Sequence, residues 1–172
     1  MASARHRSPI DSIGKRRHHI QVTDNALESE GLSTSNQTSI NTTRQLIMKP
    51  ICPDRAPRTI GPYVHAVVHD NLVFTTACIP LDPATMQIVG GTPEDQFRRI
   101  FENLKIILEE SGTGFDRIIK QNVYLTNFDH FEAFNTVSAE YLGEHKPARA
   151  TMRVVELPKQ APMGLDVVAA LA

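Results

Sequence analysis

The chain has 172 residues, 41% of them hydrophobic and 22% charged, which fits one ordinary globular domain and excludes two full domains or wholesale disorder. Its 18 Lys+Arg against 19 Asp+Glu, a formal net charge of −1, leave no positive excess to hold a nucleic-acid backbone or an anionic membrane, so neither is expected as a partner. Two cysteines, Cys52 and Cys78, without CxxC spacing exclude a disulfide framework and point to a reducing compartment.

Residues 1–47 contain none of the seven Phe and three Tyr, and Ser and Thr dominate from Ser29 to Thr43. Such a segment buries no core, and a disordered N-terminal extension is expected there. Arg5, Arg7, Lys15, Arg16 and Arg17 against a single acid, Asp11, give its start the charge of a mitochondrial transit peptide without a clear amphipathic helix. No apolar run approaches the roughly 18 to 20 residues that cross a bilayer, and no secretory signal is present. The expected location is the cytoplasm, with mitochondrial import as the alternative. The sequons at Asn36 and Asn41 read as chance matches in a Ser/Thr-rich stretch.

From residue 48 onward the pattern is α+β. Val64, Ala66 and Val68 alternate in Tyr63 to His69, and Asp70-Asn71 turns the chain into Leu72 to Ile79, a second strand that stops at Pro80. Thr92-Pro93-Glu94-Asp95 supplies a cap, a proline at the first helical position and two first-turn acids. Phe97, Ile100, Phe101, Leu104, Ile107 and Leu108 follow at helical spacing, and Gly112 ends the helix.

Ile118 to Thr126 reads as a third strand, with apolar residues on both parities that predict burial on both faces. Asn127 is expected to cap a second helix whose inward stripe is Phe131, Phe134, Tyr141 and Leu142 and whose stop is Gly143. Ala148 to Val155 forms a fourth strand, and the almost wholly apolar Gly164 to Ala172 predicts a closing strand in the centre of the sheet. The expected order is ββαβαββ with both helices on one face. The other face, with Val67, Val123 and Val155, is left apolar and open, which argues for burial against another subunit.

The chemistry-bearing residues are few. GxGxxG, GxxxxGK[ST] and GxSxG are all absent, so no cofactor is expected. His65 and His69 lie roughly 13 Å apart if their segment is extended, too far to share an ion, and read as surface or interface residues. His18-His19 is a dipeptide without further ligands, and no metal is assigned. Cys78 on a strand interior reads as inert packing. Arg149, flanked by Ala148 and Ala150, is a permanently charged fork that needs an anion or water; it either forms a salt bridge with one of the 15 acids after residue 47 or holds a ligand carboxylate beside Thr151 on the same strand face. Arg153 reads as an exposed or interface charge.

Five ordered motifs carry a resemblance: Arg58-Thr59-Ile60-Gly61-Pro62-Tyr63, Ile79-Pro80-Leu81-Asp82-Pro83, Glu102-Asn103-Leu104-Lys105, Gly143-Glu144-His145-Lys146-Pro147-Ala148-Arg149 and Glu156-Leu157-Pro158-Lys159. Together they resemble the RidA/YjgF family of enamine/imine deaminases over residues 48–172. The resemblance implies a chorismate-mutase-like fold, a homotrimer with inward-packed sheets and pockets at the subunit interfaces. It also implies a small carboxylate substrate hydrolysed to a 2-keto acid and ammonia without a cofactor. Arg149 falls on the family's carboxylate-binding arginine, Tyr63 on its pocket tyrosine and Asn135 on a helix residue near the pocket. The family's catalytic glutamate position holds Gly164, with Asp166 at the next acidic position. Thr76-Ala77-Cys78 replaces the family's Ser-Gly-Gln, and Ala150-Thr151 its Ser-Cys.

The resemblance thus nominates Arg149, Tyr63 and Asp166 as catalytic, and Arg149, Thr151, Asn135, Thr76, Ala77 and Gly164 as substrate-binding. Because these departures fall in the pocket, two alternatives stay open. One is a different reaction on a biosynthetic intermediate, by tautomerisation, dehydration or cyclisation; the other is a non-catalytic metabolite sensor. The 15 acids against 12 Lys+Arg after residue 47 disfavour the ribonuclease role also associated with the family.

Overall fold

The alternating and helical spacings of residues 48–172 become a mixed sheet with two helices packed against it; the computed structural model describes these residues. The basic start, His18-His19, the two sequons and the expected N-terminal extension lie outside the described residues. In chain order the elements are β1 (Met48–Ile51), β2 (Ala66–His69), β3 (Leu72–Thr75), α1 (Pro93–Ser111), β4 (Ile118–Leu125), α2 (Phe131–Leu142), β5 (Ala148–Arg153) and β6 (Met163–Ala170). The structure therefore adds a strand, β1, ahead of the expected order. β1 pairs antiparallel with β2, and only Ile51 in it is buried, which is why a four-residue edge strand with one core residue leaves no periodic signal.

α1 starts and stops where its residues dictate. Thr92 accepts from the Asp95 amide while Asp95 reaches back to the Thr92 amide, a reciprocal cap, and Gly112 closes the C-terminus at φ 83°. At the second helix, Asn127 caps a short 3-10 turn, Phe128–His130, and α2 begins after it. Ring contacts lock the two helices together: Phe97 meets Phe134 edge-on at 5.3 Å, and Phe101 stacks on Tyr141 at 4.8 Å.

The sheet runs β1-β2-β3-β6-β4-β5. β6 is antiparallel to both β3 and β4, and α2 carries the chain from β4 to the parallel strand β5. The apolar segment expected at the centre is indeed central. Register fixes the two faces. Val73, Leu165, Val167 and Val123 are buried under the helices. The opposite face carries Val67, Phe74, Val168, Asn122, Tyr124, Asp166 and Met152, with Phe74 44% and Met152 39% exposed.

This face is open, as expected, but Val123 is not on it. A register shift between Ile118 and Lys120 puts Ile119 in a bulge and flips the parity of β4. Ile118 before the bulge and Val123 and Leu125 after it therefore all reach the same core. Burial of both faces of β4 does not occur either: Lys120 is exposed and Asn122 and Tyr124 are half-buried. Val155 lies beyond β5 and is fully exposed. The first two expected strands are also shorter than read, since ladder pairing starts at Ala66 and stops at Thr75. Cys78 meets β6 only as an isolated bridge to Leu165.

Candidate functional site

The segment before β2 and the segment after β3 build one wall each of a pocket. Tyr63 follows Gly61-Pro62, and its hydroxyl accepts a hydrogen bond from the Ile60 amide at 3.3 Å, which folds the ring back over Gly61. Facing it, Thr76 donates its amide to the His65 carbonyl at 2.8 Å, and Cys78 exchanges both backbone bonds with Leu165. Tyr63, Thr76, Ala77, Ile79, Ile107 and Leu157 line a cavity of about 240 Å³ whose surface is mostly apolar.

Two polar residues at this pocket, His65 and Asn103, are buried. His65 is not a surface residue: it is 5% exposed, and its Nε2 lies 2.7 Å from the Pro57 carbonyl. A carbonyl only accepts, so Nε2 bears the proton in that bond, and Nδ1, without a partner among the described residues, is left as an acceptor. Asn103 projects from α1 at 1% exposure and donates Nδ2 to the Leu81 carbonyl at 2.8 Å, tying the helix to the pocket loop. A lone asparagine amid the apolar stripe of α1 was the available signal. The Cys78 thiol is pushed up to about 12, first by burial and then by the negative Asp166, and is therefore neutral at physiological pH.

Arg149 and Asn135 belong to a second, more open cleft of about 330 Å³, lined also by Gln121, Ser138, His145 and Lys146. Arg149 sits at the outer edge of β5 and donates Nη1 to Asn135 Oδ1 on α2 at 2.9 Å. Its guanidinium lies over the rings of Phe131 and Phe134, 5.5 and 5.3 Å from their centroids, which holds the fork without neutralising it. Among the described residues Arg149 makes no ion pair, so the salt-bridge alternative finds no carboxylate. Gln121 is buried beneath the cleft with Nε2 unpartnered among the described residues, a polar floor that the strand pattern hides. Thr151 is half-buried on the same side of β5 as Arg149, and Arg153 is exposed and without an ion pair among the described residues.

Asp166 is elsewhere. It accepts from Tyr124 Oη at 2.6 Å and Asn122 Nδ2 at 2.9 Å on the open face of the sheet, whereas Arg149 faces α2 on the covered side. One chain therefore does not bring these two charges together. The hydrogen bond to Asp166, with burial second, pushes the Tyr124 hydroxyl up to about 12. Gly164 shares the Asp166 side of β6. A Cβ built on it would meet the Cys78 carbonyl at 3.4 Å and Ile79 Cγ2 and Leu157 Cδ1 at 3.6 Å, so a side chain there would point at the pocket of Tyr63.

The nominated residues thus divide into a mostly apolar pocket, a cationic donor-rich cleft and a single hydrogen-bonded acid, Asp166, on the open face. Among the described residues, no three His, Cys, Asp or Glu side chains converge on a point that would hold a metal, and no helix is long and apolar enough to cross a membrane.

The profile of the family described as "Endoribonuclease L-PSP" matches residues 53–171. A RutC family protein of Pyrococcus horikoshii is 42% identical over 119 residues, covering 69% of this chain and 94% of that one. The crystal structure of RidA from the Antarctic bacterium Psychrobacter sp. superposes with a TM-score of 0.69 at 33% identity, over 72% of this chain and 99% of that one. E. coli TdcF with bound serine gives a TM-score of 0.68 at 35% identity, over 72% and 99%. With motif order, sheet topology and these similarities in agreement, the chain belongs to the RidA/YjgF family, the family of the L-PSP profile.

Proposed function

We propose that this protein hydrolyses small reactive enamine or imine carboxylates to 2-keto acids and ammonia. The observation that carries the reading is Arg149: a guanidinium held by Asn135 and two aromatic rings, with no carboxylate among the described residues to satisfy it. Such a fork is built to receive a carboxylate in two-point contact. The working unit is a homotrimer whose open sheet faces pack inward, and in it the Arg149 cleft of one copy faces the Tyr63 pocket of a neighbour. The substrate is anchored at one and reacts beside the other. The serine bound by TdcF, a small amino acid, agrees with a carboxylate ligand for this family.

An enamine first moves a proton from nitrogen to C3, by way of water, to become the imine; water then attacks C2, the C=N electron pair moves to nitrogen, and one proton of that water passes to nitrogen. The remaining hydroxyl proton is relayed to nitrogen as the C–N bond breaks, its electron pair leaving with ammonia while the oxygen closes to the ketone. Arg149, Asn135 and Thr151 orient the carboxylate, and Tyr63 with the Thr76-Ala77 backbone orders the reacting end. With no side chain at Gly164, a bound water must relay the protons; an imine is already high in energy and asks less of a base. Asp166, held by Tyr124 and Asn122, stays in the interface in this reading. The chemistry suits the cytoplasm or the mitochondrial matrix equally, with no membrane or nucleic acid involved.

Trapping of enzymatically generated imino acids with semicarbazide tests the reading. The wild type should accelerate imine loss, and Arg149→Ala should lower kcat/KM by about 10- to 100-fold with the trimer intact by light scattering. Undiminished activity would remove Arg149 from the site. The vacant side chain at Gly164 favours a second reading, a different reaction or metabolite sensing, which saturable binding without turnover would support.

A further inference from the structure

From the walls of the Tyr63 pocket we infer that the ligand's side chain is bulky and apolar, branched aliphatic or aromatic, rather than the methyl or methylene of the smallest imino acids. This deepens, and rests on, the reading that the pocket holds the body of a carboxylated substrate. Ile79, Ile107 and Leu157 supply aliphatic walls and Tyr63 an aromatic one, around about 240 Å³ of space. A three-carbon acid fills only a fraction of that volume, and the remainder would hold water against apolar carbon, a poor exchange for either.

The interior offers nothing ionised to a polar side chain. The Cys78 thiol is neutral, His65 spends its Nε2 proton on Pro57 and Asn103 donates to Leu81, which leaves His65 Nδ1 and Asn103 Oδ1 as acceptors without a partner among the described residues; Arg58, which also lines the pocket, is exposed. Gly164 completes the argument. Its missing side chain would have pointed at Ile79 and Leu157, so glycine leaves those walls open and uncharged where a carboxylate would have narrowed and polarised them. The same glycine enlarges the pocket and sets its polarity.

Titration calorimetry with the stable 2-oxo acids tests this without requiring turnover. Across pyruvate, 4-methyl-2-oxopentanoate and phenylpyruvate, affinity should rise about 10- to 100-fold from first to last. Gly164→Glu should erase most of that gain by filling and charging the pocket. Leu157→Asn, a half-buried wall residue outside the strands, should reduce it in the same direction and gives a second variant independent of the β6 backbone. Flat or falling affinity with size, binding of none of the three acids, or a rise that neither variant touches would overturn the inference. The imine assay separates its fate from that of the proposed reaction. A retained size preference without imine turnover would sink the hydrolysis and keep the apolar pocket; turnover fastest for the alanine-derived imine would do the reverse.

Discussion

The two faces of the sheet are built from similar strands and reach opposite states. On the covered face, Val73, Val123, Leu125 and Leu165 are fully buried beneath a cluster of Phe97, Phe101 and Phe134. On the open face, Phe74 and Met152 remain exposed around a hydrogen-bonded Asp166, Tyr124 and Asn122. One face holds the chain together. The other is left with apolar surface and a satisfied acid, the composition of a surface that meets another protein.

Breaking the covered face should cost most. Phe101 packs against Phe115, Phe134 and Tyr141, and Phe101→Ala should lower unfolding free energy by about 3–5 kcal/mol in urea titrations. A loss below 1 kcal/mol would mean that the aromatic cluster is not the keystone of this face. At alkaline pH the Cys78 thiol should give an effect that starts small and grows with pH. The folded state keeps the thiol protonated up to about 12, whereas the unfolded chain releases the proton near the ordinary 9.0. Above pH 9 the unfolded state therefore binds fewer protons, and stability should fall by up to about 1.4 kcal/mol per pH unit until roughly the folded value. Cys78→Ala should flatten that slope, and a slope that persists in the variant would assign it to another group. In native protein, a thiol reagent should label the exposed Cys52 and spare Cys78.

Smaller still is the cap of α1: Thr92→Ala should cost about 1 kcal/mol by freeing the Asp95 amide. The same cap gives an acid-side signature. Backbone bonding to Thr92 holds the Asp95 carboxyl below the usual range, so its contribution is present above the ordinary Asp value and is lost as pH falls through the lowered one. The smallest change in chain stability, within about 0.5 kcal/mol, is expected for Phe74→Asp on the open face. Its effect should appear by light scattering as dissociation. Unchanged mass with intact stability would show that this face meets no partner copy.

The same contrast explains what was legible in the sequence. Helical spacing in α1, the Thr92 and Gly112 signals at its ends and the apolar run of β6 each encode local periodicity or burial, and both elements lie where those signals predict. Val123 was misplaced because a bulge at Ile119 changes parity without leaving a mark in residue types. β1 was missed because it buries one residue. The candidate site was legible only in part: the family resemblance nominates Arg149, Tyr63 and Asn135, but their separation into a pocket and a cleft depends on which strand faces which helix. His65, Asn103 and Gln121 could not be ranked by type, since a buried polar residue declares itself only through what surrounds it.

The place of β6 in the sheet also bears on how the chain reaches its fold. The β1-β2-β3 and β4-β5 halves are joined through β6, whose pairing of Ala170 with Leu72 joins residues far apart in the chain. Until that strand inserts, β3 and β4 each present an unpaired edge, the template for pairing with other chains. Such distant pairing pays its loop-closure entropy late, so assembly of the sheet should be slow and a chain cut before Met163 should aggregate rather than persist as two stable halves. The strand that completes the core is thereby also the step at which a newly made molecule is committed to the native state or lost to self-association.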